Sequence, residues 1–175
     1  MRFEYATGAT PIDLDEAAGL IPSHITTQSD LNAWEQANIA LGNDWALREM
    51  KKKNILSEKF VRDLHRQMFG RTWRWAGTFR TSNKNIGVDW SQVAVRLRDL
   101  LDNTRYQLDH GALEIDIAID EVAVRFHHQL VWIHAFANGN GRHARLMADL
   151  LVMKLGRPRL TWGDGQAASI TAVGE

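Results

Sequence analysis

The chain has no cysteine among its 175 residues. Disulfides and thiolate-held metal sites are therefore excluded, and a reducing, cytoplasmic setting is expected. Net charge is absent as well: 21 Lys and Arg balance 21 Asp and Glu. No global basic field exists to draw nucleic acid, which is not expected as a partner. No apolar run approaches a membrane span, and Met1-Arg2-Phe3-Glu4 lacks the apolar core of a signal peptide, so no membrane partner is expected either. Internal repeats, low-complexity tracts and interdomain linkers are all missing. A length of 175 residues suits one domain with a sizeable core.

Apolar spacing is mostly helical. Ser57 is a plausible N-cap, after which Phe60, Leu64 and Met68 recur every four residues until Gly70. Val93, Leu97, Leu100, Leu101 and Leu108 make a second stripe, and Ile115, Ile119, Val122, Phe126, Leu130 and Ile133 a third. Leu146 to Leu155 is apolar on most faces, as a central buried helix would be, and Gly156 and Pro158 mark its end. Ser29-Asp30 is read as the cap of a further helix running through Trp34, Ala37 and Ile39 towards Met50. The fold class expected is all-α: an N-terminal extension over 1–28 with a short helix near 13–18, a helical domain over 29–160, and a tail over 161–175.

The segment from His134 to Arg145 joins a candidate base, a glycine-rich turn and two arginines. Gly139 and Gly141 permit backbone conformations that aim several N–H groups at an anion. The helix that follows would place its positive end at the same point. Arg142 and Arg145, three apart, share a helix face and carry guanidinium forks suited to phosphate oxygens. A histidine with an ordinary pKa of roughly 6.5 is mostly neutral at pH 7, as a general base must be. His127, His128, His134 and His143 raise a zinc alternative, disfavoured because the spacing is not that of structural or protease zinc sites.

This segment resembles the signature of Fic-domain proteins, His-Pro-Phe-x-(Asp/Glu)-Gly-Asn-Gly-Arg-x-x-Arg, agreeing at His134, Phe136, Gly139, Asn140, Gly141, Arg142 and Arg145. The likeness extends to Trp75-Ala76-Gly77-Thr78-Phe79-Arg80. It implies transfer of AMP from ATP, with Mg2+, onto a Ser, Thr or Tyr hydroxyl of a target protein. By resemblance His134 is the base, the backbone of Gly139, Asn140 and Gly141 together with Arg142 cradles the diphosphate, Arg145 holds the terminal phosphate, and Phe136 points inward and anchors the loop. Two positions depart from the signature. Asn138 replaces the acid that binds magnesium, leaving an uncharged ligand at best. Ala135 replaces proline and removes a fixed φ. The first departure keeps open the transfer of another phosphate-containing group; a catalytically silent, nucleotide-responsive binding module is the alternative from outside enzymology.

Between Phe79 and Trp90, turn chemistry breaks the helical pattern. In the resembling proteins this is a β-hairpin flap that aligns the target chain by strand addition, which assigns target docking to Thr81, Ser82, Asn83, Lys84, Asn85, Ile86 and Gly87. Lys84 is a further candidate phosphate contact. Many such proteins are restrained by a Ser/Thr-x-x-x-Glu-Gly/Asn helix. Glu35 has Leu31 and Gln36 in place of the flanking motif residues, and Thr171 with Glu175 has only the first spacing. Internal restraint is therefore expected to be weak or absent, and a separate antitoxin-like inhibitory partner is the alternative.

Overall fold

Six α-helices and one 3-10 turn (Trp90–Gln92) account for the helical structure in a computed structural model that describes residues 14–110 and 116–162. A short α1 (Leu14–Ala17) precedes α2 (Gln28–Glu49), α3 (Glu58–Phe69), α4 (Val93–His110), α5 (Asp116–Ile133) and α6 (Asn140–Lys154). The Ser57 hydroxyl accepts from the Phe60 N–H at 3.2 Å, the cap read from sequence. For α2 the cap is Thr27, two residues ahead of the expected pair, its hydroxyl accepting from the Asp30 N–H at 3.1 Å. Ile115 and residues 163–175, to which the third stripe, Glu175 and most of the expected tail extend, lie outside the described residues.

The four-residue period of α3 buries Phe60, Val61, Leu64, Met68 and Phe69 on one side. Those side chains meet α2, while α5 lies along both α4 and α6. Helix α6 is the axis of the fold: Ala144, Met147, Ala148, Leu150 and Val152 are all fully enclosed. A helix apolar on nearly all faces is stable only with neighbours around it, which the surrounding helices supply. Among the described residues no helix is long and apolar enough to cross a membrane.

Both ends of the described chain are fastened to this core. Leu20 bridges Trp73, with the Ile21 N–H donating to the Thr72 carbonyl at 2.8 Å and the Arg74 N–H to the Gly19 carbonyl at 2.9 Å. After α6, the Leu160 N–H and the Trp162 indole N–H both donate to the Asp149 carboxylate, at 3.3 and 3.0 Å.

The expected β-hairpin over 81–87 is not formed; the segment is irregular. Its backbone acceptors face a side chain rather than a partner strand. The Arg80 guanidinium donates to the carbonyls of Ser82, at 2.8 Å, and Val88. The Asn83 amide closes the other end, accepting from the Trp90 N–H at 2.8 Å and donating to Asp89 at 3.0 Å. With its ends stitched by side chains, the loop has no need of cross-strand pairing to satisfy its polar groups.

Candidate active site

His134 is the first residue past α5, so an amphipathic helix buried on Phe126, Leu130 and Ile133 is its mount. Its φ of 53° lies in the left-handed region, which costs a non-glycine residue of order 1–3 kcal/mol unless the surroundings hold it. They do: Arg80 Nε donates to the His134 carbonyl at 2.6 Å, and the Arg80 N–H donates to the Ala135 carbonyl at 3.0 Å. The imidazole is largely buried, and that burial holds its pKa below the ordinary histidine value, with the Arg80 and Lys84 charges adding to the shift. A hydrogen bond to the Val131 backbone acts in the opposite sense. His134 is thus a neutral imidazole at pH 7, the protonation state that a general base requires.

The loop from Ala135 to Gly139 is braced from inside. Phe136 is enclosed and stacks on the His65 ring with centroids 3.8 Å apart, the anchoring role expected of it. Asn140, also buried, uses its carboxamide reciprocally: Oδ1 accepts from the Phe136 N–H at 2.9 Å and Nδ2 donates to the Phe136 carbonyl at 2.8 Å. Its side chain is therefore a brace for the loop, while the cradle expected of Gly139 to Gly141 is a matter of their backbone. Gly139 has φ 78°, and a Cβ there would lie 2.6 Å from the Phe69 ring. Gly141 is helical, and a Cβ at that position would meet nothing within 4 Å. Open space at the first turn of α6, with unsatisfied backbone N–H groups, is what an incoming phosphate needs.

The two arginines differ in surroundings. Arg142 Nη1 lies 2.8 Å from Glu35 Oε2, and its guanidinium sits 4.9 Å above the Phe69 ring. The Trp73 indole N–H donates to the other Glu35 oxygen at 2.7 Å, orienting the carboxylate. Arg145 is exposed, makes no ion pair among the described residues, and is close enough to His127 to disfavour its protonation. A buried carboxylate from α2 thus holds the first motif arginine, a contact that the expectation of little internal restraint did not include.

Two other expected site residues are engaged within the chain. Lys84, a candidate phosphate contact, is buried in an ion pair with Glu16 at 2.6 Å. Asn138, the candidate magnesium ligand, has its Oδ1 2.6 Å from the Gly139 N–H and 3.5 Å from Arg142. That oxygen serves a donor and faces a cation, and among the described residues no group of three His, Asp or Glu could hold a metal. Of the four histidines raised for zinc, His143 is buried against the Val61 carbonyl at 2.9 Å.

His65 was not singled out from sequence. Its Nδ1 accepts from the Gly77 N–H and its Nε2 donates to the Asn138 carbonyl, both at 3.0 Å, so it ties the Trp75–Arg80 stretch to the phosphate loop. The available signal was its place in the stripe of α3, beside Leu64, where a fully buried histidine must find partners for both ring nitrogens.

A buried neutral imidazole beside a helix N-terminus and a half-exposed guanidinium is an arrangement for phosphoryl-group chemistry at a hydroxyl. The chain belongs to the Fic/DOC family, whose profile matches residues 55–152, more than half of the sequence. It is 33% identical over 132 residues to the protein adenylyltransferase fic-1 of Caenorhabditis elegans, an alignment covering 69% of this chain and 25% of that protein. A solved structure of Fic-1 from C. elegans superposes with a TM-score of 0.57 at 29% identity, over 81% of this chain and 42% of that one. The Bartonella tribocorum BepC protein, solved with bound AMPPNP, superposes at 0.62 over 81% of this chain and 79% of that one; at 15% identity this likeness carries the fold alone. The chain spans about a quarter of the length of the curated relatives it matches.

Proposed function

We propose that the chain transfers AMP from ATP to a hydroxyl side chain, Ser, Thr or Tyr, of a target protein. The observation that carries this reading is the neutral, buried His134 held at the end of α5 beside the open first turn of α6. In the reaction His134 takes the hydroxyl proton as the oxygen attacks the α phosphorus. The bond from that phosphorus to the bridging oxygen breaks, and diphosphate leaves. Backbone N–H groups of Gly139 to Gly141 and the helix end receive the growing charge on the diphosphate, with Arg142 and Arg145 as its cationic partners. Magnesium would enter as a companion of the nucleotide, easing the negative charge of its phosphates.

The test uses ATP labelled at the α or γ phosphate, incubated with purified protein, magnesium and a cell lysate. Alpha label on protein, absent with a His134 variant, is the expected result. Gamma label alone, with the same dependence, would replace this reading by phosphate transfer, the second reading that the uncharged Asn138 supports. Label from neither would leave the silent binding module.

Glu35 competes with phosphate for Arg142, the first of the two motif arginines. Glu35→Gln keeps an oxygen for the Trp73 indole but removes the charge. ATP affinity by calorimetry is expected to rise roughly three- to tenfold, the scale of a charge-assisted bond in a half-exposed site. Unchanged affinity would mean that the carboxylate moves aside at no cost.

A further inference from the structure

Arg80 lies outside the motif yet reaches more of the site than any motif residue. It is 4% exposed, and its guanidinium donates to three backbone carbonyls: His134 at 2.6 Å, Ser82 at 2.8 Å, and Val88. A fourth, that of Ile133, is 3.5 Å away. Two of these carbonyls end the helix that carries the base, and the other two are the two roots of the 81–88 loop. One planar, rigid fork therefore measures the spacing between base and loop, a task that suits guanidinium and not a flexible ammonium. The loop also touches the base directly. Gly87, at φ 100°, leaves so little room that a Cβ would lie 2.6 Å from the His134 Cβ and 3.1 Å from Arg80 Nη2.

We propose that Arg80 is a positioning residue that fixes the 81–88 loop, and any target chain laid along it, at one distance from His134, with the bare backbone of Gly87 as the contact surface. The proposal rests on the transfer reading above. A purely structural arginine that closes the end of α5 would, on removal, lower stability and weaken nucleotide binding together. A positioning arginine lowers the rate of transfer at saturating ATP and leaves the nucleotide site intact, because Gly139 lies against Phe69, the Asn138 carbonyl is held by His65 and Arg142 by Glu35 instead. Misplacement of a reacting pair by about 1 Å costs on the order of 10²-fold in rate.

The experiment compares parent, Arg80→Lys and Gly87→Ala in three readouts: calorimetric affinity for ATP, the initial rate of protein labelling in a cell lysate against α-labelled ATP concentration, and the His134 ring signals in a histidine NMR spectrum. Gly87 is exposed on the loop, so its variant is informative even where Arg80→Lys fails to fold. The expected result is a plateau labelling rate lowered roughly ten- to a hundredfold in either folded variant, ATP affinity within about twofold of parent, and displaced His134 signals with those of exposed His110 unmoved. Parental labelling rates in a folded variant, or a fall in ATP affinity that matches the fall in rate, would overturn the proposal. A parent without transfer activity would sink the functional reading alone; the NMR comparison would still decide whether Arg80 and Gly87 place the base.

Discussion

His134→Ala is expected to lower protein labelling from α-labelled ATP by about 10²–10⁴-fold, or roughly 3–5 kcal/mol of barrier. ATP affinity should remain within about twofold. The asymmetry follows from how the site is held. The carbonyl of residue 134 stays bound to Arg80 whatever the side chain, and the phosphate loop is braced separately by Asn140 on Phe136 and by His65 on the Asn138 carbonyl. Because position 134 is left-handed, alanine adds some backbone strain there. His134→Asn is the companion variant, since asparagine tolerates that region better and is not a base at neutral pH. Both variants should lose transfer equally, and calorimetry checks that both still bind nucleotide. Retained labelling in either would remove His134 from the mechanism. In the parent, the limb of the pH–rate profile due to the base should lie below the ordinary histidine value, because burial disfavours the protonated ring.

Acid should destabilise the fold well before its carboxylates titrate. Burial pushes His143 down to about 4, and His65, enclosed beside it, is also held well below the usual range by burial first, with the His143 and Arg142 charges adding to it. In the unfolded chain both rings take up protons near 6.5. Between that value and the folded one, the unfolded state binds more protons, so stability is complete above about 6.5 and falls as pH drops towards 4. His143 alone contributes on the order of 3 kcal/mol to this loss, a large part of a typical domain's stability. Protonation of His65 would in addition remove the acceptor of the Gly77 N–H. Asp149, raised by burial, acts with the opposite sign: its contribution grows as pH falls from its raised folded pKa to the ordinary carboxylate value and is complete below that. Urea midpoints at pH 7.5 and 4.5 measure the difference. A clear decrease at the lower pH, reduced in His143→Gln, is the expected outcome; equal midpoints would show that these rings are not held neutral in the folded state.

Much of the site was legible in the sequence because its parts are contiguous. The base, the glycine turn and the arginines lie within twelve positions, between two helices whose apolar stripes announce them. Ser57 as a cap and Phe60, Leu64 and Met68 as a buried face could be read from spacing, since helix geometry converts a period into a surface. Other features could not be read this way. Glu35 was set aside because its neighbours Leu31 and Gln36 break a motif, whereas its contact with Arg142 depends on where α2 crosses the first turn of α6, 107 residues later in the chain. The 81–88 segment has turn residues that suit a hairpin as well as a loop. Its form is decided by Arg80, whose guanidinium engages the carbonyls that a second strand would have used.

The sequence alone determined the family, the helical class and the identity of the candidate base, because local pattern and a contiguous motif carry those properties. Tertiary structure alone decided that Asn140 braces the loop, that Lys84 faces Glu16, that Glu35 holds Arg142, and that His65 and Arg80 suspend the phosphate loop and the base. All but the Asn140 brace, which spans four residues, are contacts between residues distant in sequence. Their energy depends on burial and direction, which no one-dimensional pattern encodes.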